Sequence, residues 1–344
     1  MADVTIRGAG IFGLSIAWAC VERGAKVAVV DPNGTGSGSS GGLVGALAPH
    51  TPENWNEKKA FQFDSLIMAE DFWKHVDEVS GFTSGYLRSG RLQPVPNDHA
   101  LELAHQRAES AKTLWQGKAA WNVCKADQFG DWAPQTPTGW LIHDTLTARM
   151  FPRLAGASIV QALRRRGVEI VTDAPDQGKV IWATGYNGLL EMSEQRGRLV
   201  GTGVKGQSAL LAFDAAEKPQ LFADALHIVP HENGTVAIGS TSEREFDDPS
   251  STDAQLDDVL DRAFTAFPVL EGSKVIERWA GVRPRARTRA PMIGEHPYKP
   301  GQFVANGGFK IGFGMAPKVA QVVADLVLEG KDTIPDSFRP EANL

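Results

Sequence analysis

Residues 4–13 read Val-Thr-Ile-Arg-Gly-Ala-Gly-Ile-Phe-Gly, and after a mostly apolar run to Gly24 the chain continues Lys26-Val-Ala-Val-Val-Asp31. This is the order of a strand, a GxGxxG turn, a helix and a second strand closed by a carboxylate, the sequence form of a dinucleotide site. In that form Gly8 permits the tight turn, Gly10 lets a pyrophosphate approach the backbone, and Gly13 lets helix and strand pack closely. The phosphates take the free amides and positive end of the helix. Asp31, 18 positions after Gly13, is placed to accept hydrogen bonds from a ribose. Its charge would repel a 2′-phosphate, which favours FAD or NAD over NADP. A glycine turn without a ligand is the competing reading, and the strand and helix patterns on both sides of the turn count against it.

At 344 residues the chain exceeds what one core usually organises, so two domains are expected. A net charge of −6 supplies no general attraction for nucleic acid or an anionic membrane. Cys20 and Cys124 form neither a disulfide framework nor a metal-ligand pattern, so a reducing, cytoplasmic setting is expected. The apolar run at 10–21 is too short to span a bilayer and no basic segment precedes it, so neither a membrane helix nor a signal peptide is expected.

After Asp31 comes Asn33-Gly-Thr-Gly-Ser-Gly-Ser-Ser-Gly-Gly42. A flexible linker is one reading of this composition. The tract runs straight into the apolar Leu43-Val-Gly-Ala-Leu-Ala-Pro49, however, and a linker would not usually follow a nucleotide-type strand. In the other reading Ser39, Ser40, Gly41 and Gly42 present amides and hydroxyls to a second part of a long cofactor, with Gly45, Ala46 and Leu47 against its ring. Helical spacing spans about 58–79, 98–116 and 151–166. Strand patterns follow at 168–172, 179–185, 204–213, 221–229 and 235–241, the last two joined by the hairpin signal His231-Glu-Asn-Gly234. A helix over 252–267 is expected to start at Thr252 or Asp253. The tryptophans at 115, 121, 132 and 140 are explained by packing as well as by a ligand.

The C-terminal third holds Trp279-Ala-Gly-Val-Arg283-Pro and then Gln302-Phe-Val-Ala-Asn-Gly-Gly-Phe-Lys310-Ile-Gly-Phe-Gly-Met-Ala-Pro317, a strand-to-helix turn bracketed by glycines. Arg283, Arg285, Arg287 and Arg289 alternate, so a strand there would place all four on one face. With the N-terminal motif, these segments resemble the glycine oxidase and D-amino-acid oxidase family of FAD-dependent oxidoreductases. The likeness spans nearly the whole chain, through GAGIFG at 8–13, GAL at 45–47, Ile-Trp-Ala-Thr-Gly at 181–185, Val-Lys-Gly-Gln at 204–207, His-Ile-Val-Pro at 227–230 and Gly-Val-Arg-Pro at 281–284.

The resemblance implies an α/β fold, α+β overall, in which a dinucleotide-binding FAD domain of discontinuous segments (1–80, 141–200 and 279–344) carries an antiparallel-sheet substrate domain (81–140 and 201–278). It implies non-covalent FAD, since neither cysteine lies in the C-terminal turn. Ile11, Phe12, Ala183, Thr184, Gly185, Gly308, Lys310, Ile311, Gly312, Phe313 and Gly314 then join the residues at the cofactor. Arg283 takes the substrate carboxylate, a role that suits a guanidinium fork; a solvated or structural arginine is the alternative. His227 stands where relatives commonly have a tyrosine, and Lys310 where glycine oxidases have an arginine. The segment between Thr172 and Lys179 is short, so the adenine pocket is built differently. His50 is a candidate lining residue, against the plainer reading of a surface histidine.

The implied chemistry is hydride transfer from the α-carbon of a small amino acid or secondary amine (glycine, sarcosine or a D-amino acid) to flavin, then to oxygen or another acceptor. No Ser/His/Asp, Cys/His or metal cluster competes with it. The runner-up keeps the flavin and oxidises a carboxymethylaminomethyl arm on a tRNA wobble uridine, with the alternating arginines on phosphates. A flavin-binding redox module without turnover and an NAD-dependent dehydrogenase are the remaining alternatives.

Overall fold

The computed structural model describes residues 1–344. The N-terminal pattern folds as Val4–Arg7 (β1), Ile11–Val21 (α1) and Val27–Val30 (β2), followed by Ala46–Leu47 (β3) and Glu57–Ser80 (α2). Arg91–Pro94 (β4), Asp98–Leu114 (α3), Trp121–Lys125 (β5), Trp140–Asp144 (β6) and Ala148–Arg149 (β7) come next, then Pro152–Arg165 (α4), Ile170–Val171 (β8), Lys179–Trp182 (β9) and Gly185–Arg196 (α5). The meander Gly201–Ala212 (β10), Gln220–Ala223 (β11), Leu226–Pro230 (β12) and Thr235–Gly239 (β13) leads to Ala254–Ala266 (α6). Lys274–Ala286 (β14), Met292–Glu295 (β15), Phe303–Asn306 (β16) and Gly312–Ala324 (α7) complete the order.

One sheet has the order β15-β16-β9-β1-β2-β8. Its strands are parallel except for β15 at the edge. A parallel sheet needs cover on both faces, and α1 supplies part of it: Ile11 through Cys20 are all buried. That is why its sequence reads as a continuous apolar run rather than as one stripe.

The other sheet has eight strands in the order β14-β10-β13-β12-β11-β4-β6-β5. Side chains alternate across it. Leu92, Leu141, Leu211, Leu221, Ile228 and Ile238 pack on one side with Leu256, Val259, Leu260 and Ala263 of α6. On the opposite side Leu210, Val229 and Ala237 meet Leu43 and Phe151, so this second face looks toward the segment between β2 and β3. Gly239 pairs with both Ser208 and His227, and Gly206 with Gly281, which sets Ser208, His227, Gly206 and Arg283 on that same second face.

Several expectations are corrected by the pairing. β6 and β14 lie wholly in the eight-stranded sheet, so the boundaries read at 141 and 279 fall inside strands. The strand expected over 221–229 is a hairpin, β11 to β12, turned at Asp224 and Ala225, both with positive φ (49° and 59°). The four alternating arginines do not share a face, because β14 ends at Ala286. Arg287 turns back to the carbonyls of Ala342, Asn343 and Leu344, and Arg289 sits in a turn at φ 61°. Asp253, one of the two caps expected for α6, accepts from the Gln255 amide. No helix is long and apolar enough to cross a membrane.

Candidate active site

β1 ends at Arg7 and the chain reverses through Gly8, whose φ of 113° belongs to glycine. A Cβ on Gly8 would lie 2.3 Å from the Ala183 carbonyl oxygen, and one on Gly13 would lie 1.9 Å from that of Gly8. Both glycines are thus required by packing within the protein. Gly10 is different. Its backbone is extended, with φ −80° and ψ 178°, and a Cβ there would meet only Ser40 Oγ, at 3.3 Å. No protein packing demands a glycine at position 10, and its bare backbone faces a cleft of about 650 Å³.

The cleft is bounded by the β1–α1 turn, residues 37–40, the β9–α5 turn, Val282 and Pro284 of β14, and the β16–α7 turn. Gly8, Gly10, Ile11, Phe12, Asp31, Ser39, Ser40, Ala183, Thr184, Gly185, Gly308 and Gly312 line it. The N-terminal ends of α1 and α7 therefore meet in one cavity, and neither has a side-chain cap from its own cap residue. Two positive helix ends favour anionic groups between them. Ser40 Oγ accepts from the Ile11 amide at 2.9 Å, which fastens the serine-glycine tract to the first turn of α1. That tract is folded into the cleft wall and does not run free as a linker would. Asp31 accepts from the amides of Ala9 (2.7 Å) and Asn33 (2.9 Å), and its oxygens keep further lone pairs toward the cleft.

Other residues expected at the cofactor lie just outside the cleft wall. Cβ atoms on Gly41 and Gly42 would press on the Gly36 carbonyl oxygen and the Trp279 ring, and one on Gly45 would come within 2.0 Å of the Met150 carbonyl oxygen. Ala46 and Leu47 form β3 against β7, and a Cβ on Gly314 would stand 3.8 Å from Leu47 Cα. Ile311 and Phe313 pack against the main core. The short segment before Lys179 folds across the end of β1: Arg7 reaches Asp176 (2.7 Å) and the Ala174 carbonyl, and Thr5 exchanges hydrogen bonds with Gln177.

Tyr186, Asn187 and Glu191, which α5 brings to the cleft, carry no motif that would have marked them. Asn306 is also new, donating to the Gly185 carbonyl and accepting from the Gly307 amide, so that it ties the β9–α5 turn to the β16–α7 turn. Its signal was present in Asn306-Gly-Gly, a turn tripeptide.

On the second face of the large sheet, Arg283 is half-buried. Its guanidinium donates to Ser240 Oγ at 2.7 Å and to the Thr241 carbonyl at 3.3 Å, both neutral acceptors. Burial pushes its pKa down to about 10 against the pull of Glu243, so it stays cationic near neutral pH. The Glu243 carboxylate is itself engaged by Lys205, Gln207 and Thr241.

His227 stands tilted on Phe222, with ring centroids 4.6 Å apart, and its Nδ1 is buried without a partner. Burial, with Arg91, Lys310 and Arg283 nearby, pushes its pKa down to about 3, so the imidazole is neutral. Lys310 is likewise lowered by burial and by Arg283. The structure thus brings Arg283, His227 and Lys310 within electrostatic reach of one another. His50 is held apart from the cleft wall by α2: its ring and its amide both engage Gln62, and burial lowers its pKa.

A family model described as FAD dependent oxidoreductase, DAO, matches residues 3–326. A glycine oxidase of Bacillus subtilis is 31% identical over 356 residues, covering 95% of this chain and 93% of that protein. The bifunctional protein ThiO/ThiG of a Nostoc species is 24% identical over 355 residues, and the match spans 96% of this chain but only 53% of that relative, about half its length. Among solved structures, glycine oxidase from Bacillus cereus superposes with a TM-score of 0.82 at 21% identity, covering 96% of each chain. Iminodiacetate oxidase from Chelativorans sp. BNC1 gives 0.86 at 19% identity, covering 98% of each. These likenesses agree with the two-sheet architecture described above.

Proposed function

The chain belongs to the family of FAD dependent oxidoreductases, DAO, and from that premise we propose that it oxidises a small amino acid or secondary amine at the bond between α-carbon and nitrogen. The observation that carries the reading is Arg283: a half-buried cation bonded only to neutral acceptors, between Val282 and Pro284 of the cleft wall and on the face of the large sheet that packs against the segment joining β2 to β3. Its one acidic neighbour, Glu243, is already engaged by Lys205, and a charge removed from water with so little compensation is costly. A substrate carboxylate offers the missing charge and two oxygens for the fork.

The cleft suits FAD in its open Gly10 backbone, its two converging helix ends and a volume within the range of small-molecule sites. When bound, the flavin would accept the hydride that leaves the α-carbon with its electron pair; the amine nitrogen gives up a proton to solvent, and water hydrolyses the resulting imine. Arg283 orients the α-carbon by holding the carboxylate. Neutral His227 adds a hydrogen-bonding edge without a second positive charge. Cys20 is buried within α1 and Cys124 lies in β5, so the reading gives a non-covalently held flavin. In this reading the six-stranded sheet and its helices form the FAD domain, and the eight-stranded sheet forms the substrate domain.

Anaerobic mixing of the yellow protein with glycine, sarcosine and D-alanine tests this directly. At least one should bleach the flavin in the wild type, and hydrogen peroxide on readmitting air would identify oxygen as the onward acceptor. Persistent yellow colour with every amine would defeat the proposal.

A further inference from the structure

Beyond Arg283 the same face opens into a smaller recess of about 200 Å³ whose charged lining is entirely positive: Arg244, Arg285, Arg289 and Lys310. None of these side chains forms an ion pair, although the net charge of the chain is −6. Glu243, next to Arg244, turns inward to Lys205, and exposed Glu245 pairs with none of the four. Burial first, and then the neighbouring Arg289 and Arg244, lower the pKa of Arg285; burial and then Arg289 lower that of Lys58, whose ammonium caps the Arg289 carbonyl at 2.7 Å.

The recess joins the flavin cleft through Phe309, which lines both. Arg285 Cζ and Lys310 Nζ stand 5.9 and 5.8 Å from the Phe309 ring centroid. Arg289 and Phe309 are both held at positive φ (61° and 42°), a conformation that non-glycine residues adopt at a cost. Arg285 follows Arg283 on the same face of β14, about 7 Å further along the strand. An anion in the recess would therefore lie a few bonds from a carboxylate on Arg283.

We propose that the preferred substrate is a dianionic amine, with its α-carboxylate on Arg283 and a second acidic group, carboxylate or phosphonate, among Arg244, Arg285, Arg289 and Lys310. The proposal rests on the amine-oxidation reading and specifies which amine.

The test compares isosteric pairs that differ only in the second charge: iminodiacetate against its monoamide, and D-aspartate against D-asparagine, with 2-amino-3-phosphonopropanoate to separate phosphonate from carboxylate. In at least one pair the dianion should exceed the amide in kcat/KM by about tenfold or more, falling with added salt. The double variant Arg244→Gln/Arg289→Gln should bring that ratio to within about twofold, because it removes the opposing charges. Equal turnover of dianions and amides, or a ratio that the double variant leaves intact, would refute the dianion preference while the amine-oxidase reading stands. Failure of every amine to bleach the flavin would remove both.

Discussion

The guanidinium of Arg283 lies across the bare backbone of Gly206, on the neighbouring strand, so closely that a Cβ at position 206 would sit 1.9 Å from Nη1 and 2.0 Å from Nη2. Gly206 has no positive φ to explain it. The missing side chain makes room for the cation, and the bonds to Ser240 and Thr241 then aim it.

Gly206→Ala should therefore damage substrate binding more than stability. The clash falls on the movable end of Arg283 rather than on backbone, so unfolding should shift by only about 0.5 kcal/mol. A guanidinium displaced by about 1 Å should reduce kcat/KM for carboxylate substrates up to about a hundredfold. Arg283→Ala removes the charge altogether and should cost about 2–5 kcal/mol of substrate affinity with flavin still bound. Steady-state kinetics beside thermal unfolding check both, and unchanged KM in either variant would contradict the assignment.

Gly10 and Gly13 belong to one motif but should fail differently. A side chain at 13 strikes the Gly8 carbonyl oxygen at 1.9 Å, a backbone atom that cannot yield cheaply. Gly13→Ala should yield little folded protein. At position 10 the space is bounded only by Ser40 Oγ and the cleft, so Gly10→Val should fold and purify colourless. Circular dichroism and the flavin absorbance of each variant separate the two outcomes.

This contrast marks how far the sequence could be read. The β1–α1–β2 unit was legible because every turn residue and apolar position in 4–31 is local, and the Gly281-Val-Arg-Pro segment was legible through its resemblance. The end of β14 at Ala286 was not, because the arginine alternation continues to 289 while Arg287 is captured by the C-terminal carbonyls, a contact across 55–57 residues. Helix α5 begins Gly185-Tyr-Asn-Gly, a poor helical composition, and is held by packing against β10, β14 and β16. Asp31 lines the cleft, and its bonds to Ala9 and Asn33 depend on how β2 leaves the sheet.

Acid should destabilise the protein well before its carboxylates are protonated. Burial holds His227 at about 3 and His231 and His296 at about 4, against an ordinary 6.5. Between those values the unfolded chain binds protons that the native state refuses, so stability falls as the pH drops from 6.5 toward 4 and is unaffected by these groups above 6.5. Each histidine contributes at most about 1.4 kcal/mol per pH unit. His231 stacks on Phe151 at 4.2 Å and has Arg149, not Arg283, as its charged neighbour, so His231→Gln should lower the slope by about one proton. Denaturant titrations at pH 7, 6 and 5 measure it; an identical slope in the variant would show that His231 is not held neutral.

The hairpin between β11 and β12 offers a stability change that leaves the substrate face alone. Asp224 tolerates its positive φ and is held by Arg262, but Ala225 has no such support at φ 59°. Ala225→Gly should raise stability by about 0.5–1 kcal/mol, the left-handed strain relieved less the added freedom of the unfolded chain. The two-residue turn also fixes Phe222 opposite His227, and a one-residue slip would swing His227 to the α6 side of the sheet. Inserting one glycine after Asp224 should therefore raise the KM for carboxylate substrates where Ala225→Gly does not. Equal KM values in the two variants would mean that His227 does not face the substrate.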